Sequence, residues 1–146
     1  MPVASRVSDQ LPEEDAFDRF AKACTEQFAT ALRNRRVDFK FNSSTLRSSA
    51  YPLLDTLIEI ASDCAGSRIV ITGHTDASGH PLHNQYLSEQ RAAAVKKYMV
   101  ARGVSADRLD VFGAGASELL DTGDSRAARA RNRRIEFEFS MIGERR

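Results

Sequence analysis

Apolar positions along the chain change their period several times, and each change predicts an element. Phe17, Phe20, Ala21, Cys24, Phe28 and Ala31 recur at three and four, which predicts a helix. It starts in the segment Pro12-Glu13-Glu14-Asp15, where proline and acids suit a first turn, and runs to about Leu32. Arg33-Asn34-Arg35-Arg36 closes it with cations near the negative end of the dipole. Val37-Asp38-Phe39-Lys40-Phe41 alternates strictly and predicts a half-buried strand, followed by a polar turn at Asn42-Ser43-Ser44-Thr45. Leu53, Leu57, Ile60 and Cys64 mark a second helix that begins near Ser48 or Ser49, tolerates Pro52 in its first turn and breaks before Gly66. The β-branched run Ile69-Val70-Ile71-Thr72 reads as a buried strand, and Asp76, Ser78, Gly79 and Pro81 punctuate the turn after it. Ala92, Val95 and Met99 then predict a helix capped by Ser88 and ended at Gly103.

Arg108-Leu109-Asp110-Val111-Phe112 is a third strand, closed by Gly113-Ala114-Gly115. Residues 116–125 read as a loop and Arg126 to Arg131 as a short helix. Ile135-Glu136-Phe137-Glu138-Phe139 alternates as a last strand. Four strands alternating with three or four helices argue for an α/β sandwich around one sheet. The expected organisation is a disordered leader (1–11), an N-terminal helix (12–36), a domain (37–140) and a short tail (141–146).

Composition adds boundaries rather than a function. A chain of 146 residues, 42% hydrophobic and 28% charged, is an ordinary globular composition with room for a sizeable core. A net charge of +1 does not favour general attraction to nucleic acid or anionic membrane. No apolar run approaches the roughly 20 residues of a membrane span. Met1 to Gln10 lacks the apolar core of a signal peptide, so the chain is either cytoplasmic or a form without its targeting segment. Cys24 and Cys64 both lie on apolar helical stripes, which fits either a disulfide or two buried thiols.

The candidate chemistry concentrates where Gly73-His74-Thr75-Asp76 leaves the buried strand. Asp76 is carried into a loop, and Arg91 stands fifteen residues on, on the following helix. That separation allows a two-charge clamp, or a plain surface ion pair worth at most about 1 kcal/mol. His74, His80, His83 and Asp76 fall within ten residues, which raises a metal-dependent enzyme as an alternative. No second ligand pair at metal spacing accompanies them. Arg126, Arg129, Arg131, Arg133 and Arg134 raise nucleic-acid binding, against which stand the interspersed acids and the missing basic-aromatic motif. No Ser/His/Asp or Cys/His arrangement has a nucleophile context, and Gly113-x-Gly115 is a turn rather than a phosphate loop.

Together these residues resemble the OmpA-like peptidoglycan-binding domain, also found at the C-terminus of MotB-type stator proteins. The resemblance rests on Gly73-His74-Thr75-Asp76, Gly79, and Asn84-x-x-Leu87-Ser88-x-x-Arg91-Ala92-x-x-Val95. It continues through Gly103-Val104, Gly113-x-Gly115 and Arg129-Ala130-x-Asn132-Arg133-Arg134-Ile135-Glu136, spanning about Val37 to Phe139. The resemblance implies a two-layer α+β sandwich with a mixed four-stranded sheet, to which the N-terminal helix is an addition. It implies a non-enzymatic anchor in the periplasm or cell envelope, without cofactor, whose partner is the diaminopimelate residue of the peptidoglycan stem peptide. Membrane association would then come only through a segment absent from this chain. Asp76 would accept the ligand's ammonium and Arg91 would fork onto a carboxylate, with Thr75 and Asn84 shaping the loop and Arg129 and Arg134 adding positive field. An oxidising compartment would favour a Cys24–Cys64 disulfide. The chain departs from the family at Ala116, Leu119 and Ala128, where Glu, Pro and Gly are usual, which bears on the loop of residues 116–128.

Overall fold

A computed structural model of the chain describes residues 15–142. The expected leader, the residues Pro12-Glu13-Glu14 and the end of the tail lie outside the described residues. Helix α1 (Ala16–Leu32) is capped by Asp15, whose carboxylate accepts the Asp18 N–H at 2.9 Å. Helix α2 (Tyr51–Asp63) follows a single 3₁₀ turn and carries Pro52 in its first turn, where no helical N–H is lost. Strand β1 (Ser67–His74) leads into helix α3 (Pro81–Ala101), and strand β2 (Leu109–Gly115) into the short helix α4 (Arg126–Asn132) and strand β3 (Arg134–Met141).

The sheet is mixed, in the order β2-β1-β3, with β1 parallel to β2 and antiparallel to β3. Its helix-covered face buries Ile69, Ile71 and Leu109, and α3 lies across it on Ala92, Val95 and Met99. Alpha-3 comes so close that no side chain fits at two strand positions. A Cβ on Gly73 would collide with the Ser88 carbonyl, and one on Gly113 with Glu89 and the Ser88 hydroxyl. Helix α1 packs from the other end of the core. Phe28 stacks on Phe139 at 4.6 Å between ring centroids and meets Phe137 edge-on. A disulfide joins Cys24 on α1 to Cys64 just beyond α2.

Two expectations are corrected. The sheet has three strands among the described residues, not four. Val37 is buried as its alternation predicts, but the segment folds back on itself. Lys40 N–H donates to the Thr45 carbonyl and Arg47 N–H to the Asp38 carbonyl, leaving one isolated bridge between Phe39 and Leu46. The Arg36 side chain ties the start of this segment to the end of α4, through the carbonyls of Ala130 and Arg133. Helix α3 also begins earlier than Ser88. His80 is its N-cap, accepting the Leu82 N–H at Nδ1, and Pro81 opens the helix. The two extra turns bury Asn84 and Ser88, polar residues that apolar periodicity does not register. Ser88 instead accepts the Gly115 N–H at 2.9 Å and docks β2 onto the helix.

Candidate functional site

The end of β1 and the first turns of α3 form one wall of a cavity of about 650 Å³. The fold-back of residues 37–47 and the stretch from Arg129 to Ile135 form the others. Thr75 leaves the sheet with its N–H on the Gly115 carbonyl and its hydroxyl on the Asp76 carbonyl, which fixes the direction of the next side chain. Asp76 is almost completely buried. Its Oδ1 accepts both the N–H and the hydroxyl of Ser78. Its Oδ2 accepts the Arg133 guanidinium at 2.7 Å. Asn84 donates to the Ser78 carbonyl at 2.8 Å and so ties the loop down to α3.

Arg91 reaches the same cavity from the middle of α3. Its Nε donates to the Ser43 carbonyl at 2.8 Å, and its guanidinium lies over the Phe39 ring at 5.1 Å. No carboxylate pairs with it among the described residues. Burial and the neighbouring Arg133 charge lower its pKa, with Asp76 opposing them. Burial works against charge on Asp76 too. The hydrogen bonds from Ser78 and Arg133 together outweigh it and hold the carboxyl below its ordinary 3.8. Six arginines line the cavity against two aspartates, Asp38 and Asp76. Such a cavity favours a ligand that brings carboxylates.

All six expected ligand residues line this cavity: Thr75, Asp76, Asn84, Arg91, Arg129 and Arg134. They are not equally free. Arg134 is spent on Glu136 and on the carbonyls of Asn132 and Glu118, and Arg129 donates to the Asp124 carbonyl. Asp76 and Arg91 do not pair with each other, because Arg133 takes the carboxylate. Sequence reasoning placed Arg133 in the basic cluster and in the family motif but gave it no role at the ligand. The doubled arginine after Asn132 was the available signal, but the choice between the two depends on which side of the α4–β3 junction each faces.

Neither alternative constellation assembles. His74 pairs with Glu136, His80 caps α3, and no group of three potential ligands sits close enough to hold a metal among the described residues. Of the basic cluster, Arg129, Arg131, Arg133 and Arg134 are each tied to an acid or a carbonyl. The loop containing Ala116 and Leu119 is pinned by Asn132, which accepts the N–H groups of Leu120 and Asp121 and donates to the Asp121 carbonyl. Ala128 is buried where α4 meets that loop.

Fold and cavity define a two-layer α+β domain that brings an acid and an arginine into one cavity. Residues 38–133 match the OmpA family, and the chain belongs to it. It is 39% identical over 101 residues to the peptidoglycan-associated lipoprotein of Pseudomonas aeruginosa, covering 68% of this chain and 58% of that one. It is 35% identical over 111 residues to outer membrane protein A of Bordetella avium, covering 76% and 57%. The chain thus spans under three-fifths of the length of these relatives. Among solved structures, the peptidoglycan-associated lipoprotein of Burkholderia pseudomallei superposes with a TM-score of 0.70 at 26% identity, covering 75% of this chain and 93% of that one. The cell wall anchor of the T6SS from Pseudomonas aeruginosa shares the fold, with a TM-score of 0.67 at 24% identity and coverage of 82% and 97%.

Proposed function

We propose that this chain holds peptidoglycan non-covalently through the diaminopimelate residue of the stem peptide and anchors an envelope protein to the cell wall. The observation that carries the reading is the half-buried Arg91 guanidinium, which shares a cavity with the Asp76 carboxylate and has no acid of its own among the described residues. A side chain ending in an ammonium and a carboxylate satisfies both. Arginine gives the planar fork that a carboxylate needs, and Asp76 gives the acceptor that an ammonium needs. Thr75 and Asn84 hold the loop, and Arg129 and Arg134 contribute field at the rim. The names of the two lipoprotein relatives support peptidoglycan as the partner. The domain binds and does not catalyse.

Co-sedimentation with purified diaminopimelate-type sacculi tests this. Wild type pellets, whereas Asp76→Ala and Arg91→Ala remain in the supernatant while folded. Each loss corresponds to one charge-assisted contact, about 1.5–3 kcal/mol or tenfold and more in affinity. Free diaminopimelate releases the wild type. A wild type that stays soluble, or variants that pellet equally well, would sink the reading.

A further inference from the structure

Asp76 is not an empty acceptor. Ser78 fills its Oδ1 twice, and Arg133 holds its Oδ2. An ammonium brought to this carboxylate meets a resident cation, with Arg91 as a second positive charge beside it. Three cations cannot share one carboxylate at low cost, so one must move. Arg91 is anchored, by Ser43 on one side and the Phe39 ring on the other. Arg133 is free to move: its side chain is 44% exposed, and it stands at the C-cap of α4, where a change of rotamer disturbs no helical bond.

We propose that Arg133 sets the specificity of this site, as the resident counter-ion of Asp76 that an incoming ammonium displaces and the ligand's own carboxylate recaptures. The inference rests on the diaminopimelate reading of the same cavity. A diaminopimelate side chain evicts Arg133 from Asp76 and then offers a carboxylate to Arg133 and Arg91 together. A lysine side chain, which has the ammonium alone, evicts Arg133 and leaves it unpaired next to Arg91. Discrimination thus comes from the penalty placed on the wrong ligand as well as from contacts to the right one.

The test is calorimetric titration of the whole chain with two soluble muropeptides that differ only in diaminopimelate or lysine at the third stem position. Wild type prefers the diaminopimelate muropeptide. In Arg133→Gln, binding of that ligand weakens and binding of the lysine ligand strengthens, so the preference shrinks by roughly tenfold or more. Arg133→Lys keeps a counter-ion on Asp76 without the fork. It excludes the lysine ligand again while diaminopimelate binding stays weak. A purely structural role for Arg133 would shift both ligands by one factor, and an unchanged preference in Arg133→Gln overturns the inference. Failure of the wild type to bind either muropeptide would instead overturn the functional reading, and this inference with it.

Discussion

His74 shows how a single motif residue can serve the scaffold. Its side chain is fully buried, Nε2 lies 3.2 Å from Glu136 Oε1, and Nδ1 has no partner among the described residues. The neutral tautomer with its proton on Nε2 suits this setting, since it donates to the carboxylate and leaves a bare acceptor inside. Burial, helped by the Arg134 charge and opposed by Glu136, pushes the imidazole pKa below its ordinary 6.5. The unfolded chain therefore takes up the proton more readily than the fold does. The contribution is fully present above about pH 6.5 and is lost as pH falls through the lower folded value. Urea midpoints should decline between about pH 7 and pH 5 in the wild type and stay level in His74→Gln. Asp76 and Glu136 are both held below their ordinary values, 3.8 and 4.5, so their contributions disappear only in stronger acid. An equal slope in both proteins across the neutral window would remove His74 from this role.

Between elements, the side chain of Arg108 does what no backbone pairing does. Standing just before β2, it donates to the carbonyls of Ala61 and Cys64 at the end of α2 and to the carbonyl and hydroxyl of Ser67 at the start of β1. Arg108→Ala removes all four hydrogen bonds, although the Cys64 carbonyl keeps the Ser67 N–H, and should cost roughly 3 kcal/mol in urea unfolding. Arg108→Lys should recover little of it, because one ammonium cannot span four acceptors. Such long-range choices were not legible in the sequence, whereas element types were. Ala92, Val95 and Met99 announced a helix, yet its first two turns hid behind the buried polar residues Asn84 and Ser88. The alternation of Val37, Asp38 and Phe39 placed Val37 in the core and Phe39 against it, but it failed at Phe41, which is 90% exposed in the fold-back. It did not record which strand edge the backbone pairs with, and that edge went unused. The same limit applies to the site. The spacing of Asp76 and Arg91 brought both into one cavity, but the pairing of Asp76 with Arg133 spans 57 residues and depends on tertiary geometry.

For the whole molecule, the question is what keeps α1 on the domain. Its inward stripe of Cys24, Phe28 and Ala31 is fully used, with Phe28 between Phe137 and Phe139 on β3. Phe17, Ala21 and Leu32 are half-buried, with Leu32 packed on the core, and Phe20 is 42% exposed. A short apolar stripe centred on Phe28 and one covalent link contribute to holding this 17-residue helix in place. Closing a loop of 40 residues removes unfolded-state entropy worth about 4 kcal/mol in the chain-entropy model. For a domain of this size, that corresponds to roughly 10–20 °C in melting temperature. Reduction, or the double substitution Cys24→Ala with Cys64→Ala, should produce a loss of that order, with the largest gain in hydrogen exchange along α1. The cavity should survive at room temperature, because Asp76, Arg91 and Arg133 are held by β1, α3 and α4 rather than by α1. Sacculus binding by the reduced protein should accordingly stay near that of the oxidised form. A melting temperature indifferent to reductant would mean that the Phe28 contacts suffice. Binding lost together with the disulfide would instead mean that α1 holds the segment after it, residues 37–47, against the cavity.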